Sequence, residues 1–143
     1  MFEPVLNESI IGRAQKSGAI EIVCHQLRDF DFDKHRRVDD TPYGGGMGML
    51  MKAEPIALCF EDICAKLGTR PHFVYMSPQG KTLNQKRLKE LAEIDNICIL
   101  CGHYDGVDRR VLDEFVDEEV SIGDYVLTCG EIPAMVFADA LCR

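Results

Sequence analysis

An α/β fold with a mainly parallel sheet flanked by helices is predicted by two observations. Short apolar or alternating runs trade places along the chain with segments whose apolar residues recur every three to four positions. The helical segments are punctuated by proline at a start and glycine at a stop, where those residues suit helix ends. At 143 residues with 46% hydrophobic content, the chain is long enough for one domain with a real core, and we take residues 1–143 as that domain.

In order, "FEPVLNESIIGRAQKSG" places Val5, Leu6, Ile10 and Ala14 on one helical face and stops at Gly18. "AIEIVCHQL" alternates Ile20, Ile22 and Cys24 with outward neighbours and predicts a strand. "RDFDFDKHRRVDDTPYGGG" has neither period and predicts a long loop, and loops of that length in compact domains are commonly functional. From Pro55 to Gly68 a helix turns Ile56, Cys59, Phe60, Ile63 and Leu67 to one side. "HFVYM" is a buried strand. Thr82 and Gln85 have capping-box spacing for a helix that buries Leu88, Leu91 and Ile94. "NICILCG" is the next strand, "RRVLDEFV" a short helix, "YVL" a strand, and Pro133 through Arg143 the last helix. The opening helix has no strand before it and the last has no stop signal, which predicts a chain cut at both ends.

A formal charge of −8 argues against non-specific nucleic-acid binding, which needs a broad basic surface, but leaves room for a specific RNA enzyme. Basic clusters at Lys34, His35, Arg36 and Arg37, at Lys81, Lys86, Arg87 and Lys89, and at Arg109 and Arg110 each fit a solvated face as well. No run approaches a membrane span and no secretion signal opens the chain, so the expected location is cytoplasmic, without a membrane partner. The seven cysteines, odd in number and scattered through apolar segments, suit buried thiols in a reducing compartment. Cys98, Cys101 and His103 have a metal-like spacing, but residues three apart on a strand face opposite ways.

"TPYGGGMGMLMK" places four glycines within residues 44–48. It matches neither common nucleotide motif. A dinucleotide fingerprint begun at Gly44 or Gly46 needs its third glycine at Met49 or Met51, and Lys52 lacks the setting of a phosphate loop. Three further Gly- and Pro-rich sets follow strands: "YMSPQG", "CGHYDGVD" and "SIGDYVLTCGEIP". In open α/β sheets ligands gather beyond the strands' carboxyl ends. Loops of this kind offer backbone to a mostly apolar ligand with polar edges, such as an adenosine, although any one of them also reads as an ordinary turn. The acid–base candidates are Asp39, Asp40, His103, Asp105, Asp108, Asp124 and Glu131; each carboxylate also fits a cap or a solvated turn, and a loop histidine is more often structural.

"HRRVDDTPYGGGMGMLM", "YMSPQG", "CGHYDGVDRR" and "DEEVSIGDYVLTCGEIPAM" together resemble, in order and spacing, the bacterial tRNA (guanine-N1)-methyltransferase (TrmD) family. The resemblance covers nearly the whole chain. It implies a SPOUT-type fold with a deep C-terminal trefoil knot, a homodimer, tRNA as partner, and methyl transfer from S-adenosylmethionine to N1 of guanosine 37, on the 3′ side of the anticodon. It further implies donor contacts at Tyr75, Met76, Ser77 and Pro78, at Gly102, Tyr104, Asp105 and Gly106, and at Ile122, Gly123, Asp124, Tyr125, Val126, Leu127, Gly130 and Pro133. The target base is expected against Asp39, Pro42, Tyr43, Gly44, Gly45, Gly46 and Gly48. Arg143 matches the family's catalytic arginine. The general-base aspartate is expected beyond it, together with a C-terminal tRNA-binding domain, and the family's first strand ahead of the opening helix.

By the same resemblance Asp105 stands where a glutamate associated with Mg2+ is usual, and Cys129 stands where a glycine is usual. If position 129 needs positive φ, Cys129 weakens donor binding. Arg109 replaces a residue commonly acidic or Gln and is assigned no role. The 143 residues are therefore expected to bind donor with little turnover. Two other readings are a non-enzymatic nucleotide-binding α/β module, disfavoured by the lack of a glycine-rich turn after "AIEIVCHQL", and a SPOUT methyltransferase for another RNA, disfavoured by "VDDTPYGGGMGM".

Overall fold

A computed structural model describes residues 1–32, 34–35, 37–40, 48–103 and 105–143. Helices α1 (Glu3–Leu6) and α2 (Ser9–Lys16) are followed by a 3-10 turn at Leu27–Phe30, short strands β1 (Asp39–Asp40) and β2 (Leu50–Met51), and α3 (Ala53–Leu67). Then come β3 (His72–Thr82), α4 (Gln85–Ala92), β4 (Ile97–Cys101), α5 (Arg109–Glu114), β5 (Glu118–Ser121) and α6 (Glu131–Cys142). Among the described residues the main sheet has the order β4-β3-β5, and both pairings are parallel.

Each face of the sheet carries its own core. Phe73, Tyr75 and Leu100 meet Met51, Ile56, Phe60, Val107 and Val111 on one side, and Val74, Met76 and Val120 meet Leu91, Ala134 and Phe137 on the other. Burying one such side chain contributes about 1.5–3 kcal/mol. Cys98 packs in the first cluster and Cys101 in the second, the opposite facing that a three-residue offset on a strand requires. Burial pushes both thiols up to about 12.

The predicted opening helix is two helices. Gly12 packs so closely that a Cβ there would strike the Asn7 carbonyl, and Ser9 takes φ 55°, which breaks the run. Leu6 and Ile11 are buried while Val5 and Ile10 are exposed, so the break also rotates the inner face. The strand expected over "AIEIVCHQL" has no ladder partner among the described residues. Ile20 and Ile22 are half-buried but Cys24 is exposed, so the alternation marks sidedness over its first two members only, and a strand is made by its neighbour. In α3, Ile56, Cys59 and Phe60 are buried as expected, Leu67 is exposed, and Gly68 closes the helix at φ 72°.

The capping box at Thr82 and Gln85 does not form. Asn84 is the cap, its Oδ1 accepting the Arg87 amide at 2.8 Å, because Thr82 is held in β3 opposite Ser121. "YVL" is not a strand. The third parallel strand is the preceding Glu118–Ser121, whose acidic start is held by pairing: Arg87 meets Glu118 and Glu90, while Arg70 meets Asp117 at 2.7 Å. Tyr125, Val126 and Leu127 are instead 53%, 81% and 38% exposed. No described helix is long and apolar enough to cross a membrane.

Candidate functional site

The expected loops converge on one cleft of about 470 Å³. The first is not a free loop. Met76 and Lys81 both pair with Val120, so residues 77–80 are extruded from β3 as a bulge before the ladder resumes. Pro78 has no N–H to lose there, and Gly80 passes so near the Glu119–Val120 backbone that a Cβ would stand 2.6 Å from it. Ser77 Oγ accepts the Gln79 amide at 3.2 Å and shapes the bulge.

The second loop leaves β4 at Gly102, where a Cβ would be 3.0 Å from the Tyr75 ring. Burial, reinforced by the Glu119 charge, pushes the Tyr75 hydroxyl up, so it is a neutral wall of the cleft. The third loop turns on Ser121, whose Oγ donates to the Gly123 carbonyl at 2.8 Å and accepts the Gly123 amide at 3.1 Å. It returns at Gly130, whose amide donates to the Gly102 carbonyl at 2.7 Å, joining the second and third loops.

Tyr75, Met76, Ser77, Pro78, Gly102, Asp105, Gly106, Ile122, Gly123, Tyr125, Val126, Leu127, Gly130 and Pro133 all line the cleft. Asp124 is exposed and off its wall, as is Arg143 at the end of α6. Tyr104, Pro42, Tyr43, Gly44, Gly45 and Gly46 lie outside the described residues. Asp39 and Gly48 bracket that stretch: β1 and β2 pair antiparallel, Asp39 opposite Met51 and Asp40 opposite Leu50, and Leu50 reaches the cleft wall. Residues 39–40, within the expected long loop, are thus tied to residues 50–51 beside the cleft.

Sequence reasoning missed Leu50, Gln79, Leu112, Glu119 and Ser121 as lining residues. Their types carry no signal, although Leu50, Gln79, Glu119 and Ser121 sit inside quoted motifs. It also missed the pairing of His103 Nε2 with Glu131 Oε1. Burial works to raise the Glu131 carboxyl, but hydrogen bonds from His103, its own amide and the Cys129 thiol outweigh this and hold it below the usual carboxylate range. Glu131 opens α6, where a negative charge also suits the helix dipole. Cys129 lines the cleft without positive φ, so the conformational reason for a glycine at that position does not apply. Arg87, Arg109 and Arg110 are engaged by carboxylates of this chain.

A cleft walled by backbone, a neutral tyrosine and exposed aliphatic groups fits an adenosyl ligand. A magnesium ion fits less well. One oxygen of Asp105, the carboxylate expected to meet the ion, already accepts the Met49 amide at 3.0 Å.

The family model described as tRNA (Guanine-1)-methyltransferase TrmD matches residues 1–143. The chain belongs to this family. Among curated TrmD-family relatives, the tRNA (guanine-N(1)-)-methyltransferase of Lachnospira eligens is 54% identical over 138 residues, covering 96% of this chain and 58% of that protein. That of Ruminiclostridium cellulolyticum is 49% identical over 143 residues, covering 100% and 61%. The crystal structure of tRNA (m1G37) methyltransferase from Aquifex aeolicus superposes with a TM-score of 0.89 at 39% identity, covering 98% of this chain and 62% of that one. The TrmD-family chain described above therefore spans about three fifths of the length of these relatives.

Proposed function

We propose that residues 1–143 form the donor-binding catalytic part of a cytoplasmic tRNA methyltransferase that moves a methyl group from S-adenosylmethionine to N1 of guanosine 37. The observation that carries this reading is the convergence of the three loops on one cleft, in a chain of the TrmD family. Their backbone groups would bind the donor's polar edges, while Tyr75, Ile122 and Leu127 would cover its apolar faces. The β1–β2 ladder would hold the glycine-rich stretch beside the methyl group, where bare backbone admits a flat base.

Guanine N1 carries a proton and is a poor nucleophile, so a base must take that proton as the methyl arrives. Arg143 would stabilise the charge developing on O6. The base is assigned to the aspartate expected after Arg143, so the 143 residues alone would bind donor with little turnover. Exposed Tyr125, Val126, Ile132 and Val136 support a homodimer contact beside the cleft. A knotted passage of the final segment belongs to this reading through membership of the TrmD family. Magnesium takes no part in this reading.

Calorimetric titration with S-adenosylmethionine, with NADH and FMN as controls, tests the proposal. Saturable binding of the methyl donor alone is expected. A control ligand binding instead would favour a nucleotide module, and robust methylation of a tRNA transcript by these 143 residues would refute the assignment of the base.

A further inference from the structure

We propose that Asp105 is a positioning residue whose carboxylate latches the end of the glycine-rich stretch onto the donor cleft by holding the Met49 amide, and is not a magnesium ligand. Residues 105 and 49 bind each other twice. The Asp105 amide donates to the Met49 carbonyl at 3.0 Å, and the Met49 amide donates to Asp105 Oδ2 at 3.0 Å. Aspartate has the arm length to close this reciprocal ring with its own backbone.

Gly48 shows that the arrangement is built in. It has φ 105°, and the carboxylate of Asp105 occupies the place where its Cβ would stand. The contact then continues as a seam: Met51 donates to the Gly106 carbonyl at 3.0 Å, Asp108 donates to the Met51 carbonyl at 3.1 Å, and Met51 bridges Val107 in parallel. The His103 amide meets the buried Met51 sulfur at 3.2 Å. One wall of the cleft and the segment leaving the glycine stretch therefore form one rigid unit. In the reading proposed above, on which this consequence rests, occupancy of the donor cleft and admission of the target base would be coupled through residue 105.

The test compares amide exchange at Met49 in the wild-type protein, Asp105→Asn and Asp105→Ala, with the core amides of Val74 and Leu100 as controls for the fold. Asparagine keeps an acceptor oxygen and drops the charge a metal would need; alanine removes both. Exchange at Met49 should accelerate by about tenfold or more in Asp105→Ala, the usual cost of a lost charge-assisted hydrogen bond, and by less than about threefold in Asp105→Asn. Magnesium chloride added with S-adenosylmethionine should leave Met49 exchange and the Asp105 carboxyl carbon shift of the wild-type protein unchanged. An alanine variant that exchanges like wild type, an asparagine variant as fast as alanine, or a saturable magnesium shift at Asp105 would each overturn the latch. The exchange rates of the wild-type protein, Asp105→Asn and Asp105→Ala are compared without donor or RNA, so failure to bind S-adenosylmethionine would refute the proposed function and leave this inference standing.

Discussion

Gly130 donates its amide to the carbonyl of Gly102 across 2.7 Å, and this single hydrogen bond closes the third loop of the cleft onto the second. A Cβ at position 130 would stand 2.9 Å from both Cα and the carbonyl carbon of Cys101. Gly130→Ala should therefore cost about 1–3 kcal/mol in denaturant unfolding, as overpacking does. It should also weaken binding of S-adenosylmethionine. Unchanged stability and affinity would show that the loops part freely.

The Glu131 carboxylate holds His103 and so fixes the second loop against the start of α6. Glu131→Gln should weaken donor binding by about tenfold, the effect of removing one charged hydrogen-bond partner. Because the folded carboxyl lies below its ordinary 4.5, its contribution is complete above that value and disappears as pH falls through the lower folded value. Loop stability in the wild-type protein should show this acid loss, and in Glu131→Gln it should not.

Asp117 ties the edge of β5 to β3. Its Oδ2 accepts the Phe73 amide at 2.7 Å and meets Arg70 at 2.7 Å, while Arg70 lies over the Phe60 ring and donates to the Phe115 carbonyl at 2.7 Å. Asp117→Ala should lose about 2 kcal/mol in urea unfolding, mostly because the Phe73 amide loses its acceptor. Burial works to raise this carboxyl, but Arg70, the Phe73 amide and His72 lower it overall. The protection it confers should therefore vanish only in acid, below the ordinary 3.8.

Arg143 lies off the cleft wall at the end of α6. In a protein that includes the segment expected to carry the base, Arg143→Ala should depress turnover at least about a hundredfold, as loss of charge stabilisation in a transition state does, and leave donor affinity within about twofold. An equal fall in both would place Arg143 in donor binding.

Much of this arrangement was legible because it depends on residues with few alternatives. Gly68 at a left-handed cap, the opposite facing of Cys98 and Cys101 and the Gly- and Pro-rich segment after β4 all follow from local chemistry, whereas the first such segment proved to be a bulge inside β3. What stayed hidden depends on distant partners. Glu118–Ser121 carries no strand pattern of its own and becomes one only with Arg87 and β3 beside it, whereas the apolar "YVL" reads as a strand although it lines the cleft. The alternation of Ile20 and Ile22 showed which side faces inward but not whether a neighbour would pair. The bond between Glu131 and His103 spans 28 residues of chain, and no local pattern announces it.

The bulge at residues 77–80 and the glycines at 102, 106, 123 and 130 leave much of the cleft without long side chains. An inhibitor that reads those amides and carbonyls would present little for a single codon change to repel. A bulkier residue at Gly130 would crowd the inhibitor only by crowding Cys101 and the loop closure as well. Escape at such a surface is tied to loss of the protein's own fold, so the main chain of this cleft can change little without undoing the loops that form it.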